Sequence, residues 1–237
     1  RPTFTMDSHR ISQAIWVPSP HFDARPHEEI SLIVVHGISL PPGIWNPLSV
    51  LSFFQGRLNC DTDPYFADLK DVRVSSHLVI GREGELYQPV AFDQRAWHAG
   101  VSTYMGRKAC NDFSIGIELV GPEEGPFTEA QLESLAGVCQ TLCQAYSIPS
   151  DAIVGHRDIA PGRKGIQALT FHLIGSGPLF KRAVQRQGQR HPRDRTYIPH
   201  QDNRGHSRRL LIVAFRHHVV EDGRWQRGEY QEDAPLQ

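Results

Sequence analysis

The sequence predicts an α/β fold, a mixed central β-sheet flanked by helices, and three stretches carry that prediction. Ile30–Val35 is an almost unbroken β-branched run, as a strand covered on both faces requires. Phe113–Leu119 alternates apolar with small or polar residues at the strand period of two. From Phe127 to Tyr146 apolar residues recur at helical spacing behind a capping-box start, so a helix should lie on that sheet.

Composition limits what those elements can build. With 237 residues, 39% hydrophobic and 22% charged, the chain can bury one core and reads as one domain with an appendage. No apolar run approaches the roughly 20 residues that span a bilayer, and no basic region followed by an apolar stretch opens the chain. A soluble protein with no membrane segment is expected. Cys60, Cys110, Cys139 and Cys143 form no Cys-x-x-Cys pair, so reduced core thiols and a cytoplasmic setting are expected. The net charge of −1 is unevenly spread: 13 Lys+Arg face 19 Asp+Glu through Lys164, and 12 face 7 beyond it, 11 of them Arg. No heptad, zinc-finger spacing or aromatic platform accompanies those arginines, so nucleic-acid binding is not expected.

In chain order, Arg1–Thr5 precede the first methionine and carry no pattern, which makes Met6 a candidate native start. Trp16–Pro26 is proline-punctuated, pinned to the core by its Trp and Phe. His36 follows the first long strand at its carboxyl end, where ligands gather in open α/β sheets; a histidine hydrogen-bonded at a strand terminus is the other reading. Gly37–Pro42 reads as loop, and Trp45–Phe54 as a short helix with Leu48, Leu51 and Phe54 inward. Val72–Ile80 reads as a strand and Gly81–Gly84 as the turn of a hairpin returning through Leu86–Val90, with His77 a core or supporting group. Ala96–Gly100 puts Trp97, His98 and a glycine in a loop that could wall a cleft.

In Phe113–Leu119 the apolar residues take the core face and leave Ser114, Gly116 and Glu118 on the other. Gly116 leaves room for a ligand beside Glu118, which is either a general base or a solvated carboxylate. Thr128 and Gln131 form the capping box, Phe127 and Leu132 the staple, and Leu132, Leu135, Cys139, Leu142 and Tyr146 the stripe. Ala152–Val154 ends a buried strand, and the loop after it carries His156 and, eight positions on, Lys164. An imidazole at a strand exit suits a divalent metal, and a nearby cation suits negative charge developing on a substrate oxygen.

Taken together, Val17–Pro20, Val34–Gly43, Arg95–Gly100, Cys110–Leu119 and Gly155–Lys164 resemble the zinc amidases that cleave N-acetylmuramoyl-L-alanine bonds, and within them the cytoplasmic 1,6-anhydro-N-acetylmuramyl-L-alanine amidase branch. The resemblance covers residues 6–164. It implies zinc bound by His36 and His156, Glu118 orienting or deprotonating the attacking water, and Lys164 steadying the oxyanion. Arg73 and Trp97 match positions that line the cleft for a muropeptide, the implied partner, and a monomer is expected. Two smaller departures concern substrate: Ala109 stands where the branch often has an arginine, with Arg107 or Lys108 as stand-ins, and Gly37 replaces a frequent asparagine.

The larger departure follows Lys164. The family pattern continues Thr-Asp-Pro-Gly-Pro, its aspartate the third zinc ligand, whereas this chain reads Gly165-Ile166-Gln167-Ala168-Leu169-Thr170. Back-translation in another frame permits Asp-Pro-Gly-Pro from Gly165 onward. Residues 165–237 are therefore expected to be a basic, disordered tail of frameshift origin behind an amidase domain of residues 6–164 that lacks its usual end. Two other readings stand beside the enzyme: a metal-free module binding peptidoglycan fragments, and an inactive truncated amidase.

Overall fold

The computed structural model describes residues 1–122 and 126–161; Lys164 and the stretch beyond it lie outside the described residues. Its centre is a six-stranded mixed sheet. In chain order the strands are Ile15–Trp16 (β1), Leu32–Ile38 (β2), Leu78–Ile80 (β3), Leu86–Gln88 (β4), Ser114–Val120 (β5) and Ile153–Gly155 (β6). Across the sheet they run β6-β2-β5-β3-β4-β1. β6, β2, β5 and β3 are mutually parallel, β4 returns antiparallel to β3, and β1 lies parallel to β4. Mixed pairing follows from the connections: the turn after Ile80 makes a hairpin, while the parallel neighbours are joined by long crossovers.

Among the described residues three α-helices accompany it: Pro47–Phe54 (α1), Glu129–Tyr146 (α2) and His156–Ile159 (α3). The capping box of α2 forms as expected, Thr128 Oγ1 accepting from the Gln131 N–H at 3.1 Å while Gln131 Oε1 accepts from the Thr128 N–H at 3.1 Å. The same Gln131 amide donates to the carbonyls of Ile80 (3.1 Å) and Val120 (2.9 Å), which ties the helix start to the carboxyl ends of β3 and β5. Leu132, Leu135, Val138, Cys139 and Leu142 then pack with Ile115, Ile117 and Leu119 in one core. On the opposite face Val79, Val120 and Ile38 meet Val50, Leu51, Phe53 and Phe54 of α1 in a second. Cys60, Cys110, Cys139 and Cys143 are all free thiols, and burial pushes those of Cys110 and Cys139 up. No helix among the described residues is long and apolar enough to cross a membrane.

The structure departs from the sequence reading in several places. Trp16 and Phe22, expected to pin their segment to the core, are 42% and 41% exposed, and Gly37 and Ile38, expected in a loop, extend β2 so that His36 lies within it. Leu48, expected inward, is 62% exposed: Asn46 caps the helix and Pro47 opens it, so Leu48 sits in a first turn that has not yet reached the sheet. Val72–His77 is not strand, because its polar groups are taken by a loop, with the Ser75 N–H donating to the Trp97 carbonyl at 3.0 Å. β5 is buried along its whole length, so Ser114, Gly116 and Glu118 do not face bulk water.

His77, fully buried, joins the sheet through its side chain. The Gly116 N–H donates to its Nδ1 at 3.0 Å, and its Nε2 meets the Gln94 carbonyl at 2.9 Å. Nδ1 can accept only while unprotonated, so the ring is the neutral Nε2–H tautomer. Burial first, and the Arg25 charge second, hold its pKa well below 6.5. The unfolded chain therefore binds a proton there that the folded chain refuses. Stability is complete above pH 6.5 and should fall below it by about 1.4 kcal/mol per pH unit for this group. Urea unfolding of the metal-free protein between pH 7 and 5.5 measures the total slope, and His77→Gln should reduce it by the His77 share, leaving the contribution of His98.

Candidate functional site

The register of the sheet lines up three side chains from distant parts of the sequence. Glu118 of β5 is the parallel partner of His36 on β2, and Gly155 of β6 is the partner of Val35, so His156 follows directly beside His36. Registered partners project to the same face about 4.8 Å apart, which sets Glu118 beside His36, and His156, the residue after the last registered pair of β6, completes the row on the other side of His36. The Nδ1 atoms of His36 and His156 stand 3.1 Å apart. All three side chains are nearly enclosed, at 6%, 7% and 9% exposure for His36, Glu118 and His156. His156 is held where the chain turns from β6 into α3, Asp158 Oδ2 accepting from the Gly155 N–H at 2.7 Å.

A third imidazole abuts the row. His98 Nδ1 lies 2.9 Å from His36 Nε2, and its Nε2 lies 3.2 Å from Ser114 Oγ. Its ring covers Gly116, where an added Cβ would come within 2.3 Å of the His98 Cγ. The space that Gly116 leaves beside Glu118 is therefore filled by the protein's own side chain rather than kept for a ligand. Asn111 Oδ1 anchors the loop by accepting from the N–H groups of His98 (3.2 Å) and Ala99 (2.8 Å). Burial, then the neighbouring His77, Arg25 and His156, hold the His98 pKa well below the usual histidine range.

Trp97 flanks the site one residue away. Its ring stacks on His21 with centroids 6.2 Å apart, and its Nε1–H donates to Asp23 Oδ1 at 3.1 Å. Arg95 grips the same carboxylate through two nitrogens and reaches Asp112 at 2.6 Å. Burial alone would raise the Asp23 pKa, but hydrogen bonds from Arg95 and Trp97 outweigh it and lower it. Arg73 stands apart from the row: it is exposed, and its guanidinium donates to the carbonyls of Lys70 and Val72. Arg107 is engaged elsewhere, paired with Glu29 at 2.8 Å and lying over the Phe113 ring. The structure thus brings His36, His156 and Glu118 together, turns the Trp97 ring onto His21 and Asp23 and leaves Arg73 exposed, while Lys164 is outside the described residues.

Two imidazoles of the row face each other at a spacing that suits a metal ion. Two nitrogens bound tetrahedrally at about 2.0–2.1 Å stand about 3.3 Å apart, close to the 3.1 Å between the facing Nδ1 atoms. Two donors of one ion therefore fit. No group of three or more His, Cys, Asp or Glu that could hold a metal occurs among the described residues.

Sequence reasoning missed the supports of this site: His98 as a partner of His36, Asn111 as the anchor of its loop, and Arg25. The Arg25 guanidinium donates to the carbonyls of Phe92, Asn111, Asp112 and Ser114 at 2.9–3.2 Å. Nothing in the spacing of Arg25 announces four backbone acceptors. The motif Cys110-Asn111-Asp112 did carry a signal, and its use is now visible: Asn111 holds the loop and Asp112 holds Arg95.

Known proteins resemble this chain in the same region. The profile of the family described as N-acetylmuramoyl-L-alanine amidase matches residues 26–165. A "1,6-anhydro-N-acetylmuramyl-L-alanine amidase AmpD" of Salmonella typhimurium (strain SL1344) is 50% identical over 155 residues, 65% of this chain and 83% of that protein. The protein so named from Escherichia coli (strain K12) is 50% identical over 149 residues, 62% of this chain and 81% of its own length. Among solved structures, the "crystal structure of Se-Met AmpD derivative" superposes with a TM-score of 0.67 at 43% identity, covering 76% of this chain and 98% of that one.

Proposed function

The chain belongs to the N-acetylmuramoyl-L-alanine amidase family, and from that premise we propose that it hydrolyses the amide bond between 1,6-anhydro-N-acetylmuramic acid and L-alanine in cytoplasmic peptidoglycan recycling, acting as a monomer on muropeptides. The observation that supports this best is the enclosed row of His156, His36 and Glu118. His36 and His156 would hold zinc through the facing Nδ1 atoms, and zinc so held supplies Lewis acidity and lowers the pKa of water to about 7. Glu118, on the neighbouring strand, would take a proton from the attacking water as the new C–O bond forms, a role its register with His36 supports. It then returns that proton to the alanine nitrogen as the C–N bond breaks, which leaves a carboxylic acid on the muramic lactyl group and a free peptide amine, and the second water proton passes from the acid to the amine to give carboxylate and ammonium. Lys164 is assigned the charge on the carbonyl oxygen, and Arg73 and Trp97 the flanks of the muropeptide.

The chain after Lys164 decides how well this works. We read residues 6–164 as the amidase domain and residues 165–237 as translation in a shifted frame, in which the aspartate that would complete the metal site is lost. The test pairs the chain as given with one whose frame is restored after Lys164, measuring zinc content and peptide release from an anhydromuropeptide. The restored chain should hold about one zinc and turn over, and the chain as given should hold zinc more weakly. Muropeptide binding with neither zinc nor release in both chains would replace the enzyme with a binding module. Sequencing the gene across the Lys164 codon tests the frame itself, and an uninterrupted reading frame there would remove it.

A further inference from the structure

We propose that His98 is a positioning residue for this site: it accepts the Nε2 proton of His36 and thereby holds the His36 ring with its Nδ1 lone pair turned toward His156. The proposal deepens the reading of His36 as a metal ligand and rests on it. Its starting point is that His36 has a partner at each ring nitrogen, His156 Nδ1 at 3.1 Å from its Nδ1 and His98 Nδ1 at 2.9 Å from its Nε2. A neutral imidazole has one N–H and one lone pair, so the proton can sit on only one of those contacts. With the proton on Nε2, His36 donates to His98, His98 donates from its own Nε2 to Ser114 Oγ, and the His36 Nδ1 lone pair faces His156. With the proton on Nδ1, the chain runs backward from the Ser114 hydroxyl, and the atom needed for coordination is blocked. A metal-holding His36 requires the first arrangement.

The surroundings of His98 fit a fixed acceptor rather than a mobile wall. Its ring lies flat against Gly116, the residue two before Glu118 on the same strand face, at a distance that no Cβ would permit. Its backbone is pinned by Asn111 Oδ1, and its second nitrogen is engaged by Ser114. Both Ser114 and Gly116 belong to β5, so the strand that carries Glu118 also carries the supports of His98. Ligating histidines characteristically have their second ring nitrogen engaged in this way, and removing the partner weakens metal affinity.

The experiment reads the tautomer of His36 directly, by two-bond nitrogen–proton NMR correlation on the metal-free chain, beside zinc affinity measured by competition with a chelating dye. Wild type should carry the His36 proton on Nε2. His98→Asn keeps an acceptor near the Nδ1 position and should preserve that tautomer, whereas His98→Leu should give a mixture and weaken zinc about 10–100-fold. Ser114→Ala, which leaves His98 in place, controls for variants that fail to fold and should shift the tautomer partway. A His36 proton on Nδ1 in wild type overturns the proposal, as does a His98→Leu chain that folds with both readouts unchanged. If wild type takes up no zinc at all, the metal reading fails, while the tautomer measurement still decides the role of His98.

Discussion

Replacing Glu118 with glutamine is expected to lower kcat for anhydromuropeptide hydrolysis by about 10²–10⁴-fold, with little change in KM or zinc content. Glutamine is nearly isosteric, so β5 should keep its register with β2 and the position of His36 should not move. What the substitution removes is the ability to take a proton from water and hand it to the leaving nitrogen. At 7% exposure no bulk base can reach the row readily to replace it. Peptide release followed by chromatography, with zinc measured on the same sample, separates this outcome from loss of metal. A variant retaining near wild-type kcat would assign proton transfer elsewhere.

Replacing Arg25 with alanine is expected to cost about 3–5 kcal/mol of stability. Arg25 is a clip: one guanidinium closes on the carbonyls of Phe92, Asn111, Asp112 and Ser114, each otherwise left without that donor in a crowded interior. Burial lowers its pKa to about 10, so it remains charged at neutral pH and its hydrogen bonds remain the strong kind. Lysine cannot reproduce the fork, and Arg25→Lys should recover only a fraction of the loss. Denaturant unfolding measures both. Because two of the clasped carbonyls flank Asn111 and the start of β5, activity should disappear in parallel with the folded fraction.

How much of this was legible beforehand follows from the kind of signal each residue gives. His36, Glu118 and His156 could be singled out because each lies in or directly after a strand whose apolar pattern is visible locally, and the branch resemblance tied them together. That they share one row could not be read, because it depends on β2 lying between β5 and β6 in a particular register. Gly116 was read as room for a ligand, since a sequence shows that a side chain is missing but not what crosses over the gap. Arg25 was invisible, and Asn111 was visible only as part of a motif without its role, for a related reason: both bond to loop backbone, which has no periodicity to betray it. Leu48 misled because an apolar residue in a first helical turn follows the stripe in spacing while standing clear of the sheet in space.

The two facing imidazoles are separated by 120 positions along the polymer, and the second arrives only directly after β6, outermost of the six described strands of the sheet and the last of them to be synthesised. A nascent chain released after Val120 would own the acid and one histidine yet be unable to act. Enzyme activity is thus a late checkpoint in biogenesis, reporting that the final strand has docked. It also makes fraying of that sheet margin, rather than melting of the interior, the first event by which heat should silence the protein.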